Sequence, residues 1–167
     1  MSGITVSGEV AHEGELPASA PAEAGLAFAR WLGVDWGDKR IGLALADELG
    51  MLATPLEAMV RREGKRPPVA ELVRRIDSTS ARGVLFGLPF DEAGDETPRC
   101  AEVRAVAAKV TERTGLPVRF VDERYSTAQA LRVIRAQGGS TRGRKGDVDS
   151  LTAALLLEQL LRGGARA

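Results

Sequence analysis

Histidine, cysteine and aromatic side chains are scarce in this chain of 167 residues, and each scarcity removes a class of chemistry. One histidine, His12, and one cysteine, Cys100, leave nothing from which to build a His-rich zinc site. Ser-His and Cys-His catalytic pairs are poor candidates for the same reason. A single cysteine forms no internal disulfide, which fits a reducing compartment. Cys100 is in helical register with Val103, Val106, Ala107 and Val110, so a buried structural thiol is expected rather than a nucleophile. Four Phe, two Trp and one Tyr offer few platforms for stacking single-stranded bases. No apolar run is long enough to span a membrane, and the N-terminus lacks a basic start followed by an apolar stretch. A cytoplasmic location with no membrane partner is expected. An enzyme so composed must rely on carboxylates, lysine or metal ions.

An excess of either charge is also lacking, with 23 Lys and Arg against 23 Asp and Glu. The distribution matters more than the sum. Residues 1–30 hold Glu9, Glu13, Glu15 and Glu23 against Arg30 alone; setting these aside leaves 22 basic and 19 acidic residues. The positive charge clusters. For Arg61, Arg62, Lys65 and Arg66, solvated surface and a binding role are equally good readings. Arg132, Arg135, Arg142, Arg144 and Lys145 precede Asp147 and Asp149 around a Gly-rich loop, where tracking a phosphate backbone is the better reading.

The length favours one domain, and a hydrophobic content of 44% with 28% charged residues is ordinary for a globular protein. Residues 1–29, rich in Ala, Gly, Glu and Pro without sustained periodicity, read as a flexible extension. A domain is expected over 30–163, followed by a short tail at 164–167. Two apolar runs between Trp31 and Ala46 flank a Gly37-Asp38-Lys39-Arg40 turn and predict a β-hairpin. Residues 51–54 are a candidate third antiparallel strand. Val69, Leu72, Val73 and Ile76 have the spacing of a helical apolar stripe. Gly83–Pro89 is a continuously apolar strand, as expected when both faces are covered. Thr97-Pro98 opens a helix that Gly115 ends. Pro117–Asp122 reads as another buried strand. Ser126 and Gln129 form a capping box for a helix to about Gln137. After a polar loop, Gly138–Gly146, comes a final, nearly all-apolar helix. Antiparallel strands first and alternating units later predict an α/β fold with a mixed sheet and helices on both faces.

Within this frame three acids stand out. Asp35 lies in the first apolar run, where an unpaired charge is costly and a divalent cation is one of few good compensations. A turn-forming role for Asp35 is the plain alternative, but Asp38 already fills it. Asp122 and Glu123 end a strand; on their own they read as a salt bridge to Arg124, worth little. Carboxyl ends of strands in open α/β sheets are nevertheless where ligands bind. Asp147 and Asp149 read as helix caps, with room for one of them to do something else. Together they suggest phosphodiester hydrolysis, in which two Mg²⁺ or Mn²⁺ ions about 3.5–4 Å apart stabilise the attacking and leaving oxygens. Such hard cations take oxygen ligands and need no histidine. Lys145 could hold the scissile phosphate or the leaving group, against plain solvent exposure. Arg40 could neutralise a carboxylate or phosphate, and structural pairing is an equal reading.

The segment from Asp35 through Ala44 resembles the opening motif of the bacterial YqgF (RuvX) family. Gly87-Leu88-Pro89 with its acidic loop, Asp122–Thr127 and Lys145–Ala154 are similar to that family's later blocks, in the same order. The resemblance covers roughly residues 31–162. It implies a ribonuclease H-like fold and an activity either on pre-16S ribosomal RNA, in 5′-end maturation, or on Holliday junctions. It further implies that Asp35, Glu123 and Asp149 ligate metal as the catalytic set, leaving Asp147 as a cap. Arg40, Arg124, Arg142, Arg144 and Lys145 are then expected to contact nucleic acid. Pre-16S RNA is the favoured substrate and branched DNA the alternative; cutting a four-way junction would call for a homodimer. Two readings of other classes are a non-catalytic nucleic-acid binding module and an actin-like or sugar-kinase-like ATPase. The acidic trio argues against the first, because carboxylates repel phosphate, and the short chain argues against the second.

Overall fold

Alternation of apolar residues between Trp31 and Ala46 produces a hairpin that lies inside the sheet rather than at its edge. The structure, a computed structural model, describes residues 30–62, 65–124, 126–136 and 145–163. Strands β1 (Trp31–Trp36) and β2 (Arg40–Ala46) pair antiparallel, with Asp35 opposite Gly42. β3 (Ala53–Val60) pairs antiparallel with β2 and is longer than the predicted 51–54 strand. Its Pro55 is tolerated because β3 is an edge strand. β4 (Gly83–Leu88) and β5 (Val118–Asp122) then add in parallel, for a sheet order of β3-β2-β1-β4-β5.

Helix α1 (Val69–Ser78) joins β3 to β4, and α2 (Pro98–Thr114) joins β4 to β5. Pro98 opens α2, and Gly115 closes it with a left-handed backbone (φ 68°), as the sequence predicts. Both helices cover one sheet face. Their core takes Leu32, Val34 and Trp36 from β1, Val84, Phe86 and Leu88 from β4, and the buried Cys100 stripe from α2. Fully burying a side chain such as Leu32 or Phe86 contributes about 1.5–3 kcal/mol. The opposite face is covered by α4 (Lys145–Gly163), whose Ala153, Ala154, Leu156 and Leu157 pack on Trp31, Ala44 and Leu85. α3 (Ser126–Ala136) packs against α4.

Three expectations change. β4 is buried along its whole length, but β5 is only half-buried, with Phe120 38% exposed, because it is the other edge of the sheet. α3 begins at Ser126 itself, one residue ahead of where an N-cap serine would place it; the capping-box contact lies outside the described side chains. α4 begins at Lys145, so Asp147 sits in its first turn rather than capping it from outside. Residues 1–29 and 164–167, read as an extension and a tail, lie outside the described residues.

Candidate active site

Period-2 alternation sends Trp31, Gly33 and Asp35 of β1 toward α4, while their neighbours enter the other core. Two glycines then decide what Asp35 meets. Opposite it on β2, a Cβ on Gly42 would stand 2.0 Å from the carbonyl oxygen of Asp149. The first turns of α4 therefore lie directly on bare backbone, with Asp149 above the β1–β2 ladder. The β2–β3 register also shifts between Ile41 and Leu43, where Glu57 and Ala58 of β3 stand opposite Gly42 alone. On β4, a Cβ on Gly87 would stand 2.5 Å from Glu123 Oε2. Glu123 follows the end of β5, its amide donating to the Leu88 carbonyl at 3.2 Å. From there its side chain crosses β4 at the gap left by Gly87 and hydrogen-bonds to Asp35 on β1.

The electrostatics follow from this packing. The Asp35 carboxyl is pushed up to about 8, chiefly by burial, then by the charges of Glu123 and Asp149. Burial also raises Glu123, with a smaller push from Asp122, while its hydrogen bond to Asp35 and the Arg99 charge oppose the shift. Burial and the neighbouring acids thus favour a proton on Asp35 at neutral pH, beside the Glu123 carboxyl. Glu123 Oε2 is buried without a hydrogen-bond partner. A buried carboxylate oxygen left unsatisfied is costly, and such sites commonly await an ion.

Arg99 is the nearby cation that the sequence reading did not single out. It sits in the first turn of α2, is ion-paired to Asp38 in the β1–β2 turn, and its charge favours ionisation of both Asp35 and Glu123. The Asp38 carboxyl is in turn held low by that hydrogen bond. The only sequence signal was its place just after a helix-opening proline. At the strand exit, the two acids divide their roles. Asp122 takes the predicted salt bridge, accepting from Arg124 Nε at 2.7 Å and Nη2 at 2.6 Å, and is held low by it. Glu123 turns inward instead.

The RuvX family profile, described as a Holliday junction resolvase, matches residues 29–163. The chain belongs to the RuvX family. Among its relatives, a protein of Ruegeria sp. is 37% identical over 78% of this chain and 82% of its own length. One of Paramagnetospirillum magneticum is 36% identical over 87% of this chain and 96% of its own. Both are named as candidate pre-16S rRNA nucleases. Among solved structures, Thermus thermophilus RuvC in complex with Holliday junction substrate matches with a TM-score of 0.52 and 17% identity, covering 81% of this chain and 95% of that one. At that identity the likeness speaks for the fold alone, and the fold is ribonuclease H-like.

Against this RuvX-family frame, the expected site residues fall into three groups. Asp35 and Glu123 are in contact, and Asp149 lies near enough to raise Asp35. Among the described residues, no three acidic, histidine or cysteine side chains are gathered tightly enough to enclose an ion without rearrangement. The donor chemistry nonetheless fits a hard divalent cation: three carboxylates, one with an orphaned buried oxygen, one whose proton is favoured chiefly by burial and then by the neighbouring acids. Arg40 begins β2, half-buried, while Arg124 is committed to Asp122. Arg142 and Arg144 lie outside the described residues, as does the side chain of Lys145, whose backbone opens α4. Among the described residues no helix is long and apolar enough to cross a membrane.

Proposed function

We propose that this chain is a metal-dependent endonuclease that hydrolyses phosphodiester bonds, acting in 5′-end maturation of pre-16S ribosomal RNA in the cytoplasm. The observation that carries the chemistry is the burial of Asp35 and Glu123 together near Asp149, with one carboxylate oxygen of Glu123 unsatisfied. The relatives' names carry the choice of substrate.

In this reading Asp35, Glu123 and Asp149 hold Mg²⁺ or Mn²⁺, as one ion or two, once Asp149 turns toward the pair. When bound, the metal neutralises charge building on the phosphate and lowers the pKa of a ligated water. The protein's own share is organisation. Asp35, on β1, would give up its proton and, with Glu123 at the end of β5, become an oxygen ligand; β4 lies between the two strands, and the gap at Gly87 lets the side chains meet. Arg99 favours that ionised state and, released from Asp38, would supply a charge to a phosphate oxygen. Arg40, Arg124, Arg142, Arg144 and Lys145 would contact the polyanion around the cut.

Branched DNA is the second reading, favoured by the family's description as a resolvase. It requires a symmetric dimer placing two sites on one junction. The deciding assay offers the full chain labelled pre-16S RNA and a four-way DNA junction in Mg²⁺, Mn²⁺ or EDTA, with Asp35→Asn as control. The expected result is metal-dependent RNA cutting that the variant lacks. Junction cutting alone would transfer the function to DNA, and no cutting of either polymer would overturn the nuclease reading.

A further inference from the structure

Two grooves lie away from the carboxylates, on the side of the molecule formed by β3, α1 and α2. One, of about 420 Å³, is lined by β3 and the start of α1 and includes Arg62, Lys65 and Arg66. The other, of about 560 Å³, runs between α1 and the end of α2 and includes Arg66, Lys109 and Arg113. Arg66 belongs to both, so the two grooves form one continuous band.

The charges of this band are unevenly used. Arg75 is held by Glu57 and Glu71, and Arg74 also pairs with Glu71. Those two acids are therefore spent inside the scaffold. Arg62, Lys65, Arg66, Lys109 and Arg113 are exposed and have no ion-pair partner among the described residues. Of the acids lining the grooves, this leaves Glu112 alone to set against them. A protein of zero net charge thus gathers five available cations along one track. Exposed like charges repel, and the arrangement gains nothing for the fold; it suits a chain of phosphates.

The band is also tied to the reaction centre. Arg61, one residue before it, donates from its amide to the Lys39 carbonyl at 2.9 Å and from Nη1 to the Gly37 carbonyl at 3.3 Å. Its guanidinium also pairs with Glu102 and lies 5.5 Å from the Trp36 ring centroid. The track therefore begins at a point clamped to the β1–β2 turn, beside the strand that carries Asp35, and leads away from it.

We propose that Arg62, Lys65, Arg66, Lys109 and Arg113 form a second RNA contact, a phosphate-backbone track that holds an arm of a structured substrate remote from the cut. The choice of RNA rests on the nuclease reading above. Recognition here is by charge and not by sequence, since the track offers no base-stacking aromatic ring.

The test measures binding of a long labelled RNA duplex across a salt series, using the full chain and Arg62→Gln/Lys65→Gln/Arg66→Gln. Binding should weaken about ten-fold or more at 0.1 M salt, and the log–log salt slope should fall by about 2–3. Lys109→Gln/Arg113→Gln should reproduce the loss in part, whereas Arg162→Gln, which removes a charge on α4, should not. Cutting of a short hairpin that covers only the cleavage point should be unchanged in all of them. Equal affinity and slope for wild type and triple variant would overturn the proposal. So would loss of polyglutamate binding with RNA affinity intact, which would indicate an acidic protein partner. Variant-sensitive RNA binding without cutting by any form would sink the nuclease reading and leave the track standing.

Discussion

The backbone of Asp149 occupies the space that a side chain on Gly42 would need: a Cβ there would lie 2.0 Å from the Asp149 carbonyl oxygen. Gly42 is the ladder partner of Asp35, so this one contact sets how near helix α4 comes to the first carboxylate. At the second carboxylate Gly87 does the same for Glu123. The candidate site is thus shaped as much by missing side chains as by those present.

Gly42→Ala must therefore move α4 away from the sheet. Overpacking against backbone, with no flexible side chain to yield, is expected to cost about 3 kcal/mol. Denaturant unfolding should show the loss as a lower midpoint. Gly115→Ala is the contrast: nothing lies within 4 Å of its Cβ, and only the left-handed backbone (φ 68°) opposes it. That strain is worth about 1–2 kcal/mol. A Gly42→Ala protein as stable as wild type would mean that α4 does not sit as described.

Asp35→Asn should abolish cutting yet stabilise the metal-free protein. The folded-state carboxyl is raised from 3.8 to about 8, so the native state binds the proton more tightly than the unfolded chain. Its contribution is fully present below about 4 and is lost as pH rises through about 8. Asn carries no such charge. The thermal midpoints of the two proteins in EDTA should coincide near pH 4 and diverge toward pH 8, with the variant the more stable. Parallel pH profiles would show that Asp35 is not held protonated.

Binding of Mg²⁺ or Mn²⁺ should release protons at neutral pH. Asp35 must lose its proton to become a ligand. Calorimetric titrations at pH 7 in buffers of different ionisation enthalpy should therefore give different apparent heats, and the difference should shrink well above pH 8. Buffer-independent heats at pH 7 would contradict a proton held on Asp35.

Arg99→Gln should raise the acid limb of the pH–activity profile. Arg99 favours ionisation of both Asp35 and Glu123, so its loss makes the active, ionised pair harder to reach. Asp38→Asn, which frees Arg99 from its ion pair, should leave that limb in place. A drop in rate at every pH without a shift would make Arg99 a contact to substrate only.

Much of this was legible in the chain itself. Alternation placed the hairpin, Pro98 and Gly115 bounded α2, and Cys100 fell in the buried stripe as its neighbours required. The acidic residues that meet were also visible, because an Asp in an apolar strand must be compensated. β3 runs Ala53–Val60, past the candidate strand at 51–54, and its Pro55 is harmless because the strand lies at the sheet edge. The buried reading of β5 failed for the same reason in reverse: its apolar composition does not say that no further strand covers it.

The sequence by itself determined the chemistry available: carboxylates without histidine, local elements from periodicity and caps, and a family resemblance carried by ordered motifs. The family resemblance picked Glu123 over Asp122, but only tertiary structure shows how: Asp122 is taken by Arg124, and Glu123 turns inward across Gly87. Tertiary structure also decided that Arg99 stands beside the acids, and that Gly42 and Gly87 open the way for them. The physical reason is range. Periodicity and capping act over a few residues, but Glu123 reaches Asp35 only because β4 lies between β5 and β1 with a glycine at the crossing. That coincidence depends on strand order and register, which are fixed by packing between residues far apart in the chain.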